Sequence, residues 1–250
     1  MNPNFGRTAS DYMGYRRPFP PELFERLRRF AVGLPGQWVL DVGAGTQLFG
    51  NVLAGQGCRV VASDVSHLLL AASLNGVAGR VAARVESLPF PDDRFDAVAA
   101  AQCWHWFNRS HAPLEIRRVL RPGGALVVAY HMYVPTPSSV AEAVERLILR
   151  HRPAWRHANS AGINGQVLRD VQSNGFTGIE SFSFDVVESF THDQWRGFIR
   201  TTSAVGASLP PAQLLQFDEA HAALLRDWPE PLKIPHRIFA AIAHKPLSPL

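Results

Sequence analysis

Val39-Leu-Asp-Val-Gly-Ala-Gly-Thr-Gln-Leu-Phe-Gly50 is the stretch that decides the fold. Its opening is a short, nearly continuous apolar run, the pattern of a strand covered on both faces. Two glycines, Gly43 and Gly45, follow at once, and an apolar helix-compatible segment begins after them. Glycine suits such a turn because a Cβ would block close approach of a ligand to the backbone. The helix behind it offers N–H groups that no carbonyl within the helix uses. A strand, a glycine turn and a helix form a nucleotide cradle. Gln47 stands where a third glycine is expected, and the start of a helix predicts a negative φ there, which tolerates a side chain.

Outward from this turn the rhythm repeats. Apolar runs recur at Trp38–Val42, Arg59–Ser63, Arg80–Val85, Phe95–Ala101 and Ala125–Tyr130. Between them Leu48–Gln56, Leu68–Asn75 and His111–Leu120 are helix-compatible, and Pro21–Val32 opens the series with Pro near its start and Gly33 as its stop. Strand and helix in alternation argue an α/β fold with a parallel sheet. After Tyr130 the rhythm changes. Helices are expected at Ser138–His151, capped by Ser138 or Ser139, at Asn164–Asn174, at Thr191–Thr202 with Thr191 as cap, and at Pro210–Trp228. Ile179–Phe190 alternates like a strand, and His236–Lys245 reads as a closing strand. One domain over 1–250 is expected. Its parts are an N-terminal lid and helix (1–33), a binding core (34–131), a half rich in cap-like helices (132–235) and the closing strand (236–245).

Composition narrows the function classes. The chain has 250 residues, 46% of them apolar, enough for a sizeable core. The net charge of +4 is carried almost wholly by arginines in short, scattered clusters such as Arg16-Arg17, Arg28-Arg29 and Arg117-Arg118. A nucleic-acid binder shows a basic stripe, and base-modifying enzymes a flipping motif; neither is present, so no nucleic-acid partner is expected. Cys58 and Cys103 lie in apolar runs with no disulfide or metal spacing, so no metal is expected and a reducing cytoplasm fits. The N-terminal segment lacks the apolar core of a secretory signal, and no run approaches the roughly 18 apolar residues of a membrane span.

Asp64 ends the second strand, 23 residues after Asp41. A carboxylate at that point can accept both hydroxyls of a ribose. Together the glycine turn and Asp64 suit either NAD or S-adenosylmethionine (SAM). Further motifs separate them. Asp-Val-Gly-Ala-Gly-Thr at 41–46, Glu-Ser-Leu-Pro-Phe-Pro-Asp-Asp-Arg-Phe-Asp-Ala-Val at 86–98 and Leu-Arg-Pro-Gly-Gly at 120–124 jointly resemble class I SAM-dependent methyltransferases. The likeness is strongest to the small-molecule branch with the trans-aconitate and ubiquinone-pathway enzymes, and covers roughly residues 5–131 and the closing strand.

That resemblance implies a Rossmann-like, doubly wound, seven-stranded and mostly parallel sheet with an antiparallel last strand, plus helical cap insertions. It implies SAM as cofactor and S-adenosylhomocysteine as its product. Gly43, Ala44 and Gly45 would pass beneath the methionine moiety, and Asp41 would help order their turn. Asp64 would hold the ribose, with Val65 against the adenine. Val85, Glu86 and Ser87 occupy the loop that meets adenine edge-on, and Gln102 ends the fourth strand beside the cofactor. Tyr12, Tyr15 and Arg16 fall in a segment similar to the family's tyrosine-rich lid. Tyr15 and Arg16 would close on the methionine end, Arg16 on its carboxylate, while Tyr12 lines the substrate pocket. Two positions depart from the pattern: Gln47 replaces a glycine, its amide either reaching the SAM carboxylate or crowding it, and Arg84 replaces an aspartate.

Gln102-Cys-Trp-His-Trp-Phe107 follows the fourth strand at the sheet edge where ligands bind in open α/β sheets. Trp104 and Trp106 are candidate pocket walls facing a cation. His105 and His131 are the candidate general bases, needed only where the acceptor is protonated at neutral pH. The expected activity is methyl transfer to a small organic acceptor by in-line displacement, dominated by positioning. The alternative from another class is a SAM-binding protein that transfers no methyl, regulatory or catalysing another reaction. An NAD oxidoreductase is disfavoured by the lack of Gly-x-Gly-x-x-Gly and of Tyr-x-x-x-Lys, since Lys233 and Lys245 are the only lysines. The segment Pro135–Ile163 and the helix Ala212–Trp228 suit either a cap or a homodimer face.

Overall fold

The computed structural model describes residues 9–72 and 76–247. The first eight residues of the expected lid and the last three of the expected helix Leu68–Asn75 lie outside them. Along the chain run α1 (Ala9–Tyr15), α2 (Pro21–Arg28), β1 (Trp38–Val42), α3 (Leu48–Gly55), β2 (Arg59–Asp64), α4 (His67–Ala72), β3 (Gly79–Ala82) and β4 (Phe95–Ala101). Then follow α5 (Ala112–Val119), β5 (Leu120–Tyr133), α6 (Val140–His151), α7 (Gly165–Ser173), β6 (Thr177–Phe190), α8 (His192–Arg200), α9 (Pro211–Leu225) and β7 (Leu232–His244). A 3-10 turn, Trp104–Trp106, follows β4.

The strands form one seven-stranded sheet in the order β3-β2-β1-β4-β5-β7-β6. Pairs β1–β2, β1–β4, β2–β3 and β4–β5 are parallel. The closing strand β7 is antiparallel to β5: Gly123 N–H donates to Lys245 O and Lys245 N–H to Gly124 O, each at 2.9 Å. The parallel sheet expected from the alternating pattern is therefore present, in the doubly wound, mostly parallel form that the resemblance implies. The strand order reverses between β1 and β4, which opens a crevice at their carboxyl ends.

Two compact units emerge. The first takes the described part of 1–17 with 132–163 and 184–237; the second takes 18–131, 164–183 and the described part of 238–250. In the second, Val39, Leu40 and Val42 of β1 and Ala97–Ala100 of β4 are buried, as continuous apolar strands require. Helix α2 buries Leu23, Phe24 and Leu27, and Phe24 packs on Phe49 of α3 with ring centroids 5.0 Å apart. Arg118 of α5 gathers the acidic loop before β4: it donates to Asp92, to the Leu88 and Phe90 carbonyls, and to Glu115, whose carboxylate also accepts the Leu88 N–H.

The first unit is helical around an aromatic core of Phe190, Trp195, Phe198 and Phe217 with Val144, Leu147 and Ile148 of α6. Ser139 caps α6 through the Glu142 N–H, and Thr191 with Gln194 forms a complete capping box on α8. Helix α1 lies on α8, with the Tyr15 ring against the bare backbone at Gly197, Tyr15 Oη donating to Asp193, and Arg200 paired with Asp11. No described helix is long and apolar enough to cross a membrane.

Several boundaries differ from those expected. Strand β3 stops at Ala82 instead of Val85, because the chain turns at Arg84–Ser87 with the Ser87 N–H donating to Arg84 O. Strand β5 starts at Leu120 instead of Ala125, because the Pro-Gly-Gly segment exchanges backbone hydrogen bonds with Lys245 at the end of β7. Helix α2 ends at Arg28, four residues early, and Val32 folds back to donate to Leu27 O.

Candidate functional site

The glycine turn between β1 and α3 is held by three carboxylate or carbonyl acceptors. Ala44 N–H donates to Ser63 O at 3.0 Å, and Gly45 N–H donates to Asp64 Oδ2 at 2.9 Å. Asp41 Oδ2 accepts the Gly50 N–H of α3 at 3.1 Å. The second Asp64 oxygen accepts the Ser66 N–H at 2.8 Å, so Asp64 joins the ends of β1 and β2. Each Asp64 oxygen retains a lone pair for a further donor.

The two glycines play different parts. Gly43 (φ +62) is packed: a Cβ there would sit 2.7 Å from Cys103 Cβ and 2.8 Å from its Sγ. Gly45 (φ +51) faces open space, with nothing within 4 Å of an added Cβ. Gln47 has φ +64, not the negative φ expected at a helix start. Its side chain is fully buried, away from the turn. Its amide donates to Leu70 O at 2.8 Å and accepts from Arg80 Nε at 3.1 Å. The amide therefore neither reaches nor crowds a ligand on the turn.

Asp41 is almost wholly buried, and its Oδ1 has no hydrogen-bond partner among the described residues. Burial pushes its carboxyl up to about 7; the Gly50 N–H works against the shift and nearby Asp64 adds to it. Burial likewise pushes the Cys103 thiol well above its ordinary value, and its S–H donates to Val42 O.

Around this centre Val65 is 69% exposed immediately beyond Asp64. Val85 is buried, and Ser87 is exposed at the tip of its turn. Glu86 accepts the Asn108 N–H at 2.9 Å and lies 3.4 Å from Arg84, so the arginine that departs from the family pattern is paired with a neighbour. Gln102 is left-handed at φ +62, its N–H donating to Ala129 O and its side-chain amide to His131 O, which ties the ends of β4 and β5. His131 is buried, with its ring 5.6 Å from Phe19.

The two tryptophans diverge. Trp106 is 43% exposed, but Trp104 is 1% exposed and its Nε1–H donates to Asp170 Oδ2 at 2.9 Å. Trp104 thus anchors α7 and walls no open surface. Trp104→Phe is expected to destabilise by about 2 kcal/mol, the value of a buried hydrogen bond to a charged acceptor. Urea unfolding measures it, and a loss below roughly 0.5 kcal/mol, the range of an inert surface change, would remove Asp170 from that role. His105 is exposed beside Trp106, its Nδ1 3.3 Å from the Tyr130 oxygen.

Tyr12, Tyr15 and Arg16 belong to the other unit. There Arg16 lies over the rings of Phe198 (4.9 Å) and Tyr12 (5.4 Å), and Tyr15 is engaged by Asp193. The structure thus brings Asp41, Gly43, Ala44, Gly45, Asp64 and Val65 together directly at the turn. Tyr130, Asn164 and Asp170 take part in this unit without having been singled out in the sequence. Tyr130 is hidden in an apolar strand run, and the others carry no motif.

Comparison with known proteins agrees with this geometry. The family model described as a methyltransferase domain matches residues 40–128. An uncharacterized methyltransferase of Mycobacterium bovis is 36% identical over 135 residues, covering 52% of this chain and 53% of its own. A demethylmenaquinone methyltransferase of Mycobacterium tuberculosis is 38% identical over 128 residues, covering 51% and 54%. The chain spans about half the length of these relatives. Among solved structures, a protein of Anaeromyxobacter dehalogenans assigned as a type II methyltransferase superposes with a TM-score of 0.65 at 24% identity, over 94% of this chain and 100% of that one. The [4+2]-cyclase SpnF shares the fold at a TM-score of 0.53 and 19% identity, over 93% and 85%. Built around a glycine turn at the switch point of a β3-β2-β1-β4-β5-β7-β6 sheet, the chain is similar over residues 40–128 to a methyltransferase domain.

Proposed function

We propose that the protein is a SAM-dependent methyltransferase acting on a small organic molecule in the cytoplasm. The observation that carries this reading is the carboxyl end of β1 and β2. There Gly45 opens to space, Asp64 has lone pairs to spare, and an apolar side chain, Val65, stands exposed beside it. These residues fit a nucleoside: Asp64 accepts the ribose hydroxyls and Val65 covers one face of the base. When bound, SAM supplies an electrophilic methyl on a sulfonium. Gly43–Gly45 hold the backbone close to the ligand, and Asp41 orders the turn by accepting the Gly50 N–H. Trp106 offers an exposed ring face to a cation. Chemistry then depends on alignment, which can supply about 7–11 kcal/mol of a barrier.

Calorimetric titration with SAM, S-adenosylhomocysteine and NAD tests the reading. SAM and its product are expected to bind and NAD to give no heat. Asp64→Ala is expected to weaken SAM by roughly 10- to 100-fold, as loss of one or two buried hydrogen bonds implies. An unchanged affinity would defeat the ribose assignment, and an NAD response would favour an oxidoreductase. A second reading is supported by the fold shared with a [4+2]-cyclase: SAM binding with chemistry other than methyl transfer. Binding without turnover over a broad acceptor panel would select it.

A further inference from the structure

Asp41 lies one residue from the carboxyl end of β1, directly before the glycine turn, and is 1% exposed. A carboxylate so deeply buried persists as an anion only where a cation or several N–H donors face it. Asp41 has one donor, the Gly50 N–H on Oδ2 at 3.1 Å. Among the described residues its Oδ1 has no hydrogen-bond partner, and no cation forms an ion pair with either oxygen. The side toward α3 is filled, since a Cβ on Gly50 would stand 2.8 Å from Oδ2.

The elements packed around Asp41 supply no positive charge. In the flanking strands its register partners are Ala62 of β2 and Ala99 of β4. The charged residues Arg59 and Asp96 of those strands lie at the other end of β1, beside Trp38. Helix α3 carries no titratable side chain. Cys103, after β4, keeps its thiol proton and donates it to Val42 O. Asp64 holds the same turn through the Gly45 N–H and opposes a second negative charge. With Oδ2 accepting from Gly50, the proton of the neutral acid belongs on Oδ1. Burial pushes the carboxyl up to about 7, so a single positive charge brought near it is enough to ionise it at neutral pH. SAM and its product differ by one such charge: the sulfonium is a cation and the thioether is not.

We infer that Asp41 makes the glycine turn read the charge of its ligand: protonated in the cofactor-free protein, it loses that proton to solvent when the sulfonium form is bound and keeps it with the thioether product. This rests on the SAM reading of the site and makes Asp41 a specificity-determining residue, for cofactor over product. The O–H bond of Asp41 is the only one that changes. Ionisation and binding are reciprocally linked, so rising pH favours the cofactor over the product.

Infrared difference spectra read the proton directly. At pH 6 the cofactor-free protein is expected to show the C=O stretch of a protonated carboxyl that Asp41→Asn lacks; its absence overturns the inference. In the wild type, SAM is expected to remove that band and S-adenosylhomocysteine to leave it, a comparison that needs no variant. Calorimetry at pH 7 in phosphate and in Tris counts the protons. About half of the cofactor-free protein is protonated at Asp41 at that pH, and a tenfold stronger acid leaves about a tenth. SAM is therefore expected to release about 0.4 proton more than S-adenosylhomocysteine, measured against Asp41→Asn, in which the ligands' own amino groups titrate as in the wild type. The preference for SAM over S-adenosylhomocysteine is expected to rise several-fold from pH 5.5 to pH 8.5 relative to that variant. Equal proton release, or a preference with the same pH course in both proteins, overturns the inference. Failure of the SAM reading appears separately, as absence of heat from either ligand, while the infrared band of the cofactor-free protein is read without them.

Discussion

Asp41→Asn is expected to stabilise the cofactor-free protein at pH 8 far more than at pH 4. In the unfolded chain the carboxyl ionises near its ordinary value of 3.8; in the folded protein burial moves this to about 7. Between those values the folded state keeps a proton that the unfolded chain has lost. Stability therefore falls as pH rises from about 4 to 7, and the cost is constant above. At 1.36 kcal/mol per pH unit the full cost is on the order of 4 kcal/mol. Asparagine carries no charge and still offers the Gly50 N–H an acceptor. The gap between variant and wild type, from urea unfolding at a series of pH values, is expected to open by several kcal/mol from pH 4 to pH 8. A gap independent of pH would mean that Asp41 ionises in the folded protein as it does in solution.

Gly43→Ala is expected to cost about 3 kcal/mol, and Gly45→Ala only about 1. Both glycines have positive φ, so a side chain is strained at either. Only at Gly43 does the new methyl meet an atom that cannot swing aside. Cys103 Cβ, 2.7 Å away, is bonded directly to the backbone of the segment leaving β4. The chain ends of β1 and β4 must then separate, which adds the cost of overpacking to that of the backbone. Removing the obstacle in a Gly43→Ala, Cys103→Gly double variant should recover part of the loss. Equal unfolding midpoints for the two single variants would show that the turn relaxes freely at both positions.

The alternating apolar runs made the sheet legible, because strands buried on both faces have no polar side to disguise them. Asp64 stood out because a carboxylate at the end of the second strand can accept both hydroxyls of a ribose, and the structure gives it two backbone donors as well. Other features depend on partners distant in sequence. Arg-Pro-Gly-Gly before Ala125 reads as a turn, and only Lys245 makes it strand. The indole of Trp104 reads as well for a pocket as for a core until Asp170 is seen beneath it. Tyr15 and Arg16 read as lid residues, but their contacts with α8 follow from a glycine 182 residues later, Gly197, that leaves room for the ring. The pairing of His105 with Tyr130 crosses from one strand end to the next, so neither motif contains it.

Gln47 gives the turn a brace. Its buried amide answers both the Leu70 carbonyl and the Arg80 guanidinium, at the expense of a left-handed backbone. Glycine at 47 would relieve that backbone but take the buried amide donor from the Leu70 carbonyl of α4, while the exposed Arg80 of β3 would turn to water. The glutamine therefore fastens α4 and β3 to the turn at once, although a strand and two helices separate positions 47 and 80.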